Sequence, residues 1–291
     1  MSTPHVARTK AELRELVAGA RANGKSVALV PTMGSLHEGH LSLLRAARER
    51  CDLVVMSLFV NPAQFGEGED LDSYPRDEAR DLALADRSGV DVVFAPEVDE
   101  IYPAGFATHV AVEGLTDVLE GDPGRRGASH FRGVTTVVAK LLNIVAPDVA
   151  FFGQKDAQQA IVIRRMARDL DFPAEIAVVP TVREPDGLAL SSRNAYLTPE
   201  ARGRASGLWL ALDAVRDAAS DGSSVDDALN AGQRVLAEAG VEPEYLEARY
   251  ANDLTPAETF NGRPVLVAVA ARVGRARLID NVVVGDAGGP A

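Results

Sequence analysis

The apolar positions of this 291-residue chain change their spacing along its length, and the spacing predicts the elements. After Thr9, with Glu12 three residues on in a capping-box arrangement, the apolar residues of "AELRELVAGARANGK" recur at helical intervals, predicting a helix that ends near Gly24. "SVALVPTM" (26–33) is short, valine-rich and closed by a proline, the pattern of a strand buried on both faces. From His40 to Arg50, Leu41, Leu43, Leu44, Ala46 and Ala47 form a helical stripe. Further apolar runs at 52–60, 90–96, 148–153 and 174–182 are separated by helical patterns around 76–88, 133–145 and 157–170. Strands alternating with helices predict an α/β domain with a parallel sheet and right-handed crossovers.

The character changes after Arg193. Residues 198–220 read as one long alanine-rich helix capped by Thr198 with Pro199 at its first position, and "SVDDALNAGQRVLAEAG" reads as a second. Three strand-like runs follow, "EYLEARYA", "PVLVAVAARVG" and "ARLIDNVVVG", which predicts a separate α+β unit. The stretch "REPDGL" (183–188) supplies proline, glycine and charge without apolar period, so the expected domains are 1–184 and 185–291. The tail "DAGGPA" reads as disordered.

Composition narrows the partners. The chain is 46% hydrophobic and 25% charged, ordinary for a globular protein that buries a sizeable core. Its 42 acidic against 30 basic residues give a net charge of -12, a field that repels nucleic acid and anionic membrane but leaves room for a local basic pocket. The single cysteine, Cys51, has no internal partner for a disulfide and sits at the mouth of an apolar run, which reads as structural. With neither a bilayer-length apolar stretch nor a signal-type N-terminus, the expected location is the cytoplasm.

Candidate chemistry gathers where predicted strands meet helices. In an open parallel sheet, ligands bind outside the carboxyl ends of the strands, where helix starts present free N–H groups. "PTMGSLHEGH" (31–40) occupies such an end, with Gly34 and Gly39 permitting close backbone approach. Neither G-x-x-x-x-G-K-[ST] nor G-x-G-x-x-G is present there, which argues against a P-loop NTPase and a dinucleotide dehydrogenase. His37 and His40 are spaced to share one side of a helix start and to donate to phosphate oxygens; capping or surface histidines, or a zinc site short of ligands, are the alternatives. "FGQKDAQQ" repeats the architecture with Gly153, Lys155 and Asp156, where the alternative is a solvated lysine beside an N-cap aspartate. "GLALSSRN" (187–194) offers two hydroxyls and a guanidinium, or simply a turn.

Six stretches, "PTMGSLHEGH", "FVNPAQF", "HFRGV", "FGQKDAQQ", "DGLALSSRN" and "ARLIDN", resemble in order and spacing the motifs of the pantoate/beta-alanine ligase family, across residues 31–281. "HEGH" is similar to the HIGH signature of adenylate-forming nucleotidyl transferases, and "LSSRN" stands where their KMSKS loop does. The resemblance implies a Rossmann-like N-terminal domain of the HIGH-type nucleotidyl transferase superfamily, a smaller C-terminal lid domain, and a cytoplasmic homodimer. It implies an ATP site of Met33, Gly34, Ser35, Leu36, His37, Glu38, Gly39 and His40, completed by Gly153, Gln154, Lys155, Asp156, Val182, Leu190, Ser191, Ser192 and Arg193. His40, His37, Lys155 and Arg193 would be the catalytic groups. Gln64 and Gln159 would hold pantoate, with Gln64 also near beta-alanine, and Asn61 and His130 would stand close by. Where the family commonly has "GEKD" and an aromatic residue, this chain has Gln154 and Ala157. Some members carry a magnesium site near 80–81; here those positions are Arg80 and Asp81, so only Asp81 carries over as a metal ligand.

The implied reaction is ATP-dependent condensation of (R)-pantoate with beta-alanine through a pantoyl-adenylate, with ATP as substrate, magnesium as its companion and small molecules as the only substrates. A nucleotidylyltransferase of the same fold is the enzyme alternative, and a catalytically silent nucleotide-binding protein is the other.

Overall fold

The computed structural model describes residues 3–66, 71, 72 and 74–285, so the tail 286–291 lies outside the described residues. Contacts divide the chain into two compact units. The first comprises residues up to Gly153 together with Gln158–Val179; the second comprises Gln154–Ala157 together with the chain from Pro180 on.

In the first unit the elements run β1 (His5–Ala7), α1 (Lys10–Ala22), β2 (Val27–Thr32), α2 (Glu38–Arg50), β3 (Leu53–Leu58), α3 (Glu78–Arg87), β4 (Val92–Phe94), α4 (Val98–Ile101), α5 (Gly127–Val145), β5 (Val149–Gly153), α6 (Ala157–Asp169) and β6 (Glu175–Val179). The strands form a parallel sheet in the order β1-β4-β3-β2-β5-β6. Successive side chains of a strand leave opposite faces, and both faces here are covered. Leu29 and Val55 join Leu13 and Val17 of α1 and Val138 and Leu142 of α5, whereas Ala28, Val30, Val54 and Met56 join Leu43, Leu44 and Ala47 of α2. That two-sided burial is why 26–33 and 52–60 read as continuous apolar runs. Because the chain order reverses between β2 and β5, the loop leaving β2 and the end of β5 lie at the sheet's switch point, the usual ligand position in such folds.

In the second unit α7 (Pro199–Ala205), α8 (Gly207–Ser220) and α9 (Val225–Glu238) precede an antiparallel sheet of β7 (Pro243–Tyr250), β8 (Val265–Val273) and β9 (Ala276–Val284). Val265, Val267, Val269 and Ala271 of β8 cluster with Leu208, Ala211, Leu212 and Val215 of α8.

Several expectations change. The three-residue strand β1 is too short to leave a periodic signal, and it forms because β4 accepts it as an edge. The helix expected at 133–145 begins at Gly127 and takes in "HFRGV". Gly133, the first residue of the expected helix, is required inside the observed one: a Cβ there would lie 2.1 Å from the Ala63 carbonyl oxygen, so only glycine admits that segment against the helix. The single helix expected over 198–220 is broken at Ser206, beside a close approach in which a Cβ on Gly207 would lie 2.6 Å from that of Ala239. The boundary between units falls before Pro180 rather than at 184/185. Val182 accepts a backbone hydrogen bond from Leu190, and Arg183 bridges to Ala189, which draws this stretch into the second unit.

Candidate active site

The loop leaving β2 is held in an unusual backbone form. Gly34 has φ +86° and Ser35 φ +53°, the left-handed region that costs a residue with a side chain. Asp81, in the first turn of α3, holds it there: its two carboxylate oxygens accept from the N–H groups of Ser35 and Leu36, each at 2.8 Å. The contact is close, since a Cβ on Gly34 would stand 2.8 Å from the Asp81 carboxylate. Asp81 is 1% exposed. A buried carboxylate engaged by two backbone donors is the staple of the loop, a structural part that the sequence expectation of a metal ligand at Asp81 did not include. Among the described residues, no group of three or more His, Cys, Asp or Glu side chains is arranged to hold a metal. Two other residues of the expected ATP site are placed as follows. Leu36 places its side chain in the core beside Leu44, and Glu38 is exposed and ion-paired with Arg45.

His37 is the N-cap of α2, and His40 stands in its first turn. Gly39 N–H donates to His37 Nδ1 at 3.2 Å, and His37 N–H donates to His40 Nδ1 at 3.3 Å. The rings lie with centroids 4.2 Å apart. Glycine at 39 makes room for this arrangement, because a Cβ there would meet the His37 ring at 2.9 Å. Because both Nδ1 atoms accept, each neutral ring carries its proton on Nε2. The capping therefore uses the Nδ1 atom of each imidazole.

Gln64 closes a 3-10 turn, Pro62–Gln64, and is held on three sides. Its Nε2 donates to Met33 Sδ at 3.1 Å, its Oε1 accepts from Asn61 Nδ2 at 3.1 Å, and its backbone oxygen accepts from His130 Nδ1 at 2.8 Å. Met33 and Gln64 are thus brought together. His130 Nε2 accepts from Arg126 at 3.2 Å, so this ring is the opposite tautomer from His37 and His40. Asn61 is anchored in turn, donating to the Gly133 carbonyl at 3.1 Å and accepting from Tyr102 Oη at 2.7 Å. Burial pushes the Tyr102 phenol up to about 12. The folded value lies above the ordinary tyrosine value of about 10, so the neutral phenol's contribution is intact below that pH and is lost as pH rises toward 12. Phenolate absorbance should accordingly show one late-ionising tyrosine that Tyr102→Phe removes; an unchanged titration curve would contradict the assignment.

Gln159 lies half-buried in the first turn of α6, while its neighbour Gln158 is committed to the fold, accepting from Glu120 N–H at 3.0 Å and donating to the Leu115 and Val118 carbonyls at 2.9 and 2.7 Å. Gly153 ends β5, and apart from its chain neighbours no atom of the described residues lies within 4 Å of where a Cβ would stand.

In the second unit, Gln154, Lys155 and Asp156 form a 3-10 turn in which Lys155 Nζ lies 3.8 Å from Asp156. Val182 and Leu190 are joined by a backbone hydrogen bond of 3.0 Å. Ser191 then caps the 3-10 turn Ser192–Tyr196, its Oγ accepting from Arg193 N–H at 3.2 Å. Thr181 Oγ1 and Asn194 Oδ1 on the same stretch are buried without a hydrogen-bond partner among the described residues. Cys51 is buried in the core, which pushes its thiol up and away from reactivity.

A parallel sheet with an H-x-x-H helix start at its switch point is the arrangement of the HIGH nucleotidyl transferase fold. Comparison with known proteins carries this further: a sequence model of the Pantoate-beta-alanine ligase family matches residues 5–283, and the chain belongs to that family. The pantothenate synthetase of Moorella thermoacetica is 56% identical over 280 residues, 95% of this chain and 97% of its own length. The crystal structure of pantothenate synthetase from Thermus thermophilus superposes with a TM-score of 0.88 at 50% identity, covering 96% of this chain and 98% of that one. The pantoate-beta-alanine ligase of Francisella tularensis, solved in complex with beta-gamma ATP and beta-alanine, matches with a TM-score of 0.78 at 31% identity, over 99% of this chain and 100% of that one. No helix among the described residues is long and apolar enough to cross a membrane.

Tyr102, Arg183, Asp280 and Asn281 have no individual role in the sequence reading, although the last two belong to the "ARLIDN" stretch. The signal for the last two was present, as an acid and an amide inside the apolar run "ARLIDNVVVG".

Proposed function

We infer that this chain condenses (R)-pantoate with beta-alanine to pantothenate, with ATP converted to AMP and pyrophosphate. The observation that carries the reading is the His37/His40 pair, capped through Nδ1 at a helix start, in a chain of the pantoate-beta-alanine ligase family. A carboxylate does not react with an amine until its oxygen is made a leaving group. Pantoate's carboxylate attacks the α-phosphorus of ATP in line, the bond to pyrophosphate breaks, and the acyl-adenylate remains. The beta-alanine amine, unprotonated, then attacks the acyl carbon and AMP departs.

Negative charge grows on the phosphates in the first step. The Nε2–H groups of His37 and His40, Lys155, the hydroxyls of Ser191 and Ser192, and Arg193 are the groups we assign to it, so catalysis is positioning plus electrostatics. Gln64 and Gln159 bind pantoate through amides, which bond hydroxyl and carboxylate without adding a charge that would quench the nucleophile. Magnesium enters with ATP's own phosphates, as it commonly does.

The test uses enzyme, ATP, magnesium and pantoate without beta-alanine. A stoichiometric burst of pyrophosphate with little free AMP is expected, and labelled pyrophosphate should exchange into ATP only when pantoate is present. Exchange that needs beta-alanine overturns the two-step order; indifference of ATP to pantoate overturns the assignment and favours a nucleotidylyltransferase. The resemblance also supports a cytoplasmic homodimer, and sedimentation of the same preparation reports whether two chains associate.

A further inference from the structure

Strand β9 carries Asp280 and Asn281 side by side in an apolar run, 3% and 5% exposed. Polar side chains held out of water cost free energy unless they are bonded, and both are bonded to segments distant in the chain. Asp280 takes Arg183 in a bidentate pair, Nη1 to Oδ2 at 2.6 Å and Nη2 to Oδ1 at 3.0 Å. The same guanidinium donates to the Gly187 carbonyl at 3.0 Å and stacks 3.8 Å over the Trp209 ring. Asn281 reaches the lysine-bearing turn instead. Its Nδ2 donates to the carbonyls of Gln154 and Lys155, both at 2.9 Å, and its Oδ1 accepts from Gln154 Nε2 at 2.9 Å.

A three-residue 3-10 turn has little internal hydrogen bonding with which to hold its own shape. Three bonds from one side chain supply that shape here, two of them on the carbonyls that flank the root of the Lys155 side chain. Only a short amide provides two donors and an acceptor in that span: aspartate lacks the donors, and serine has one. The amide at Gln154 is matched to it, because a carboxylate at 154 would present no proton to Asn281 Oδ1.

We propose that Asn281 is the positioning residue for Lys155, fixing the turn from which its ammonium reaches phosphate, while the Asp280–Arg183 pair keeps the strand and the 183–190 stretch in place. The inference rests on the assignment of Lys155 to ATP phosphates made above.

Asn281→Asp keeps the size of the side chain and removes both donors. It is expected to slow pantoate-dependent pyrophosphate exchange by about 100-fold, the scale of a small misplacement of a reacting group. Aminolysis of supplied pantoyl-adenylate by beta-alanine should stay close to wild type, and amide hydrogen exchange should quicken at 154–157 but not across β7–β9. A folded variant with unchanged pyrophosphate exchange overturns the proposal, as does a parallel fall of both half-reactions with the melting temperature, which would mean a purely structural residue. Should that variant not fold, Gln154→Leu removes a single bond and is expected to cost about tenfold in the first half-reaction; no loss there overturns the proposal equally. Wild-type enzyme without pantoate-dependent exchange would sink the proposed function itself, and amide exchange at 154–157 would still decide whether Asn281 holds the turn.

Discussion

His40→Ala is expected to slow pantoyl-adenylate formation by about 100-fold or more, the scale for losing one acid or donor that acts in the transition state. Two losses are mixed in that variant. His40 Nδ1 caps His37 N–H at 3.3 Å, and its removal costs about 0.5–2 kcal/mol of stability, whereas a 100-fold rate loss corresponds to about 2.7 kcal/mol on the barrier. His40→Gln separates them. Glutamine is a natural third residue of a capping box and can reach back to the same N–H, so it should restore the melting temperature but not the rate. Near wild-type pyrophosphate release by folded His40→Gln would remove this histidine from the chemistry.

The second large effect is at Asp81. Asp81→Ala leaves two backbone donors, the partly buried one of Ser35 and the buried one of Leu36, without their acceptor. At about 1–3 kcal/mol for each orphaned group, the loss is about 2–6 kcal/mol and should appear as a marked drop in melting temperature. Asp81→Asn is the more informative change, because it keeps one acceptor and turns an amide N–H toward the other donor. The 33–36 loop should loosen, raising the KM for ATP and lowering kcat, while the magnesium concentration that gives half-maximal rate stays where it is in wild type. A large rise in the magnesium requirement with unchanged melting would restore Asp81 as a metal ligand and end the staple reading. Both experiments concern one loop, since Asp81 fixes its first half and the His37/His40 cap fixes its second.

Whatever neighbouring residues suffice to encode is legible in the sequence alone. The runs at 26–33 and 52–60 announce strands buried on both faces, because adjacent side chains of β2 and β3 meet helices on opposite sides of the sheet. Thr9 and Glu12 announce the start of α1, and their capping box forms as the spacing requires. The HEGH, QKD and SSRN stretches are legible as short junctions carrying polar residues, and their assignment to ATP rests on the family resemblance rather than on those residue types alone. Other features came from packing in three dimensions, and in each case through a partner far along the chain. Asp81 is one carboxylate in the helical pattern around 76–88 until the fold brings it to Ser35, 46 residues away, where it is a buried staple. Gly133 looks like the start of a helix until Ala63 lies against it. Asn281 is one amide in an apolar strand until it meets the carbonyl of Lys155, 126 residues earlier. Periodicity reports which face of an element is buried, but not which polar group waits on the other side, because hydrogen bonds of that reach depend on how the strands and helices are ordered in space.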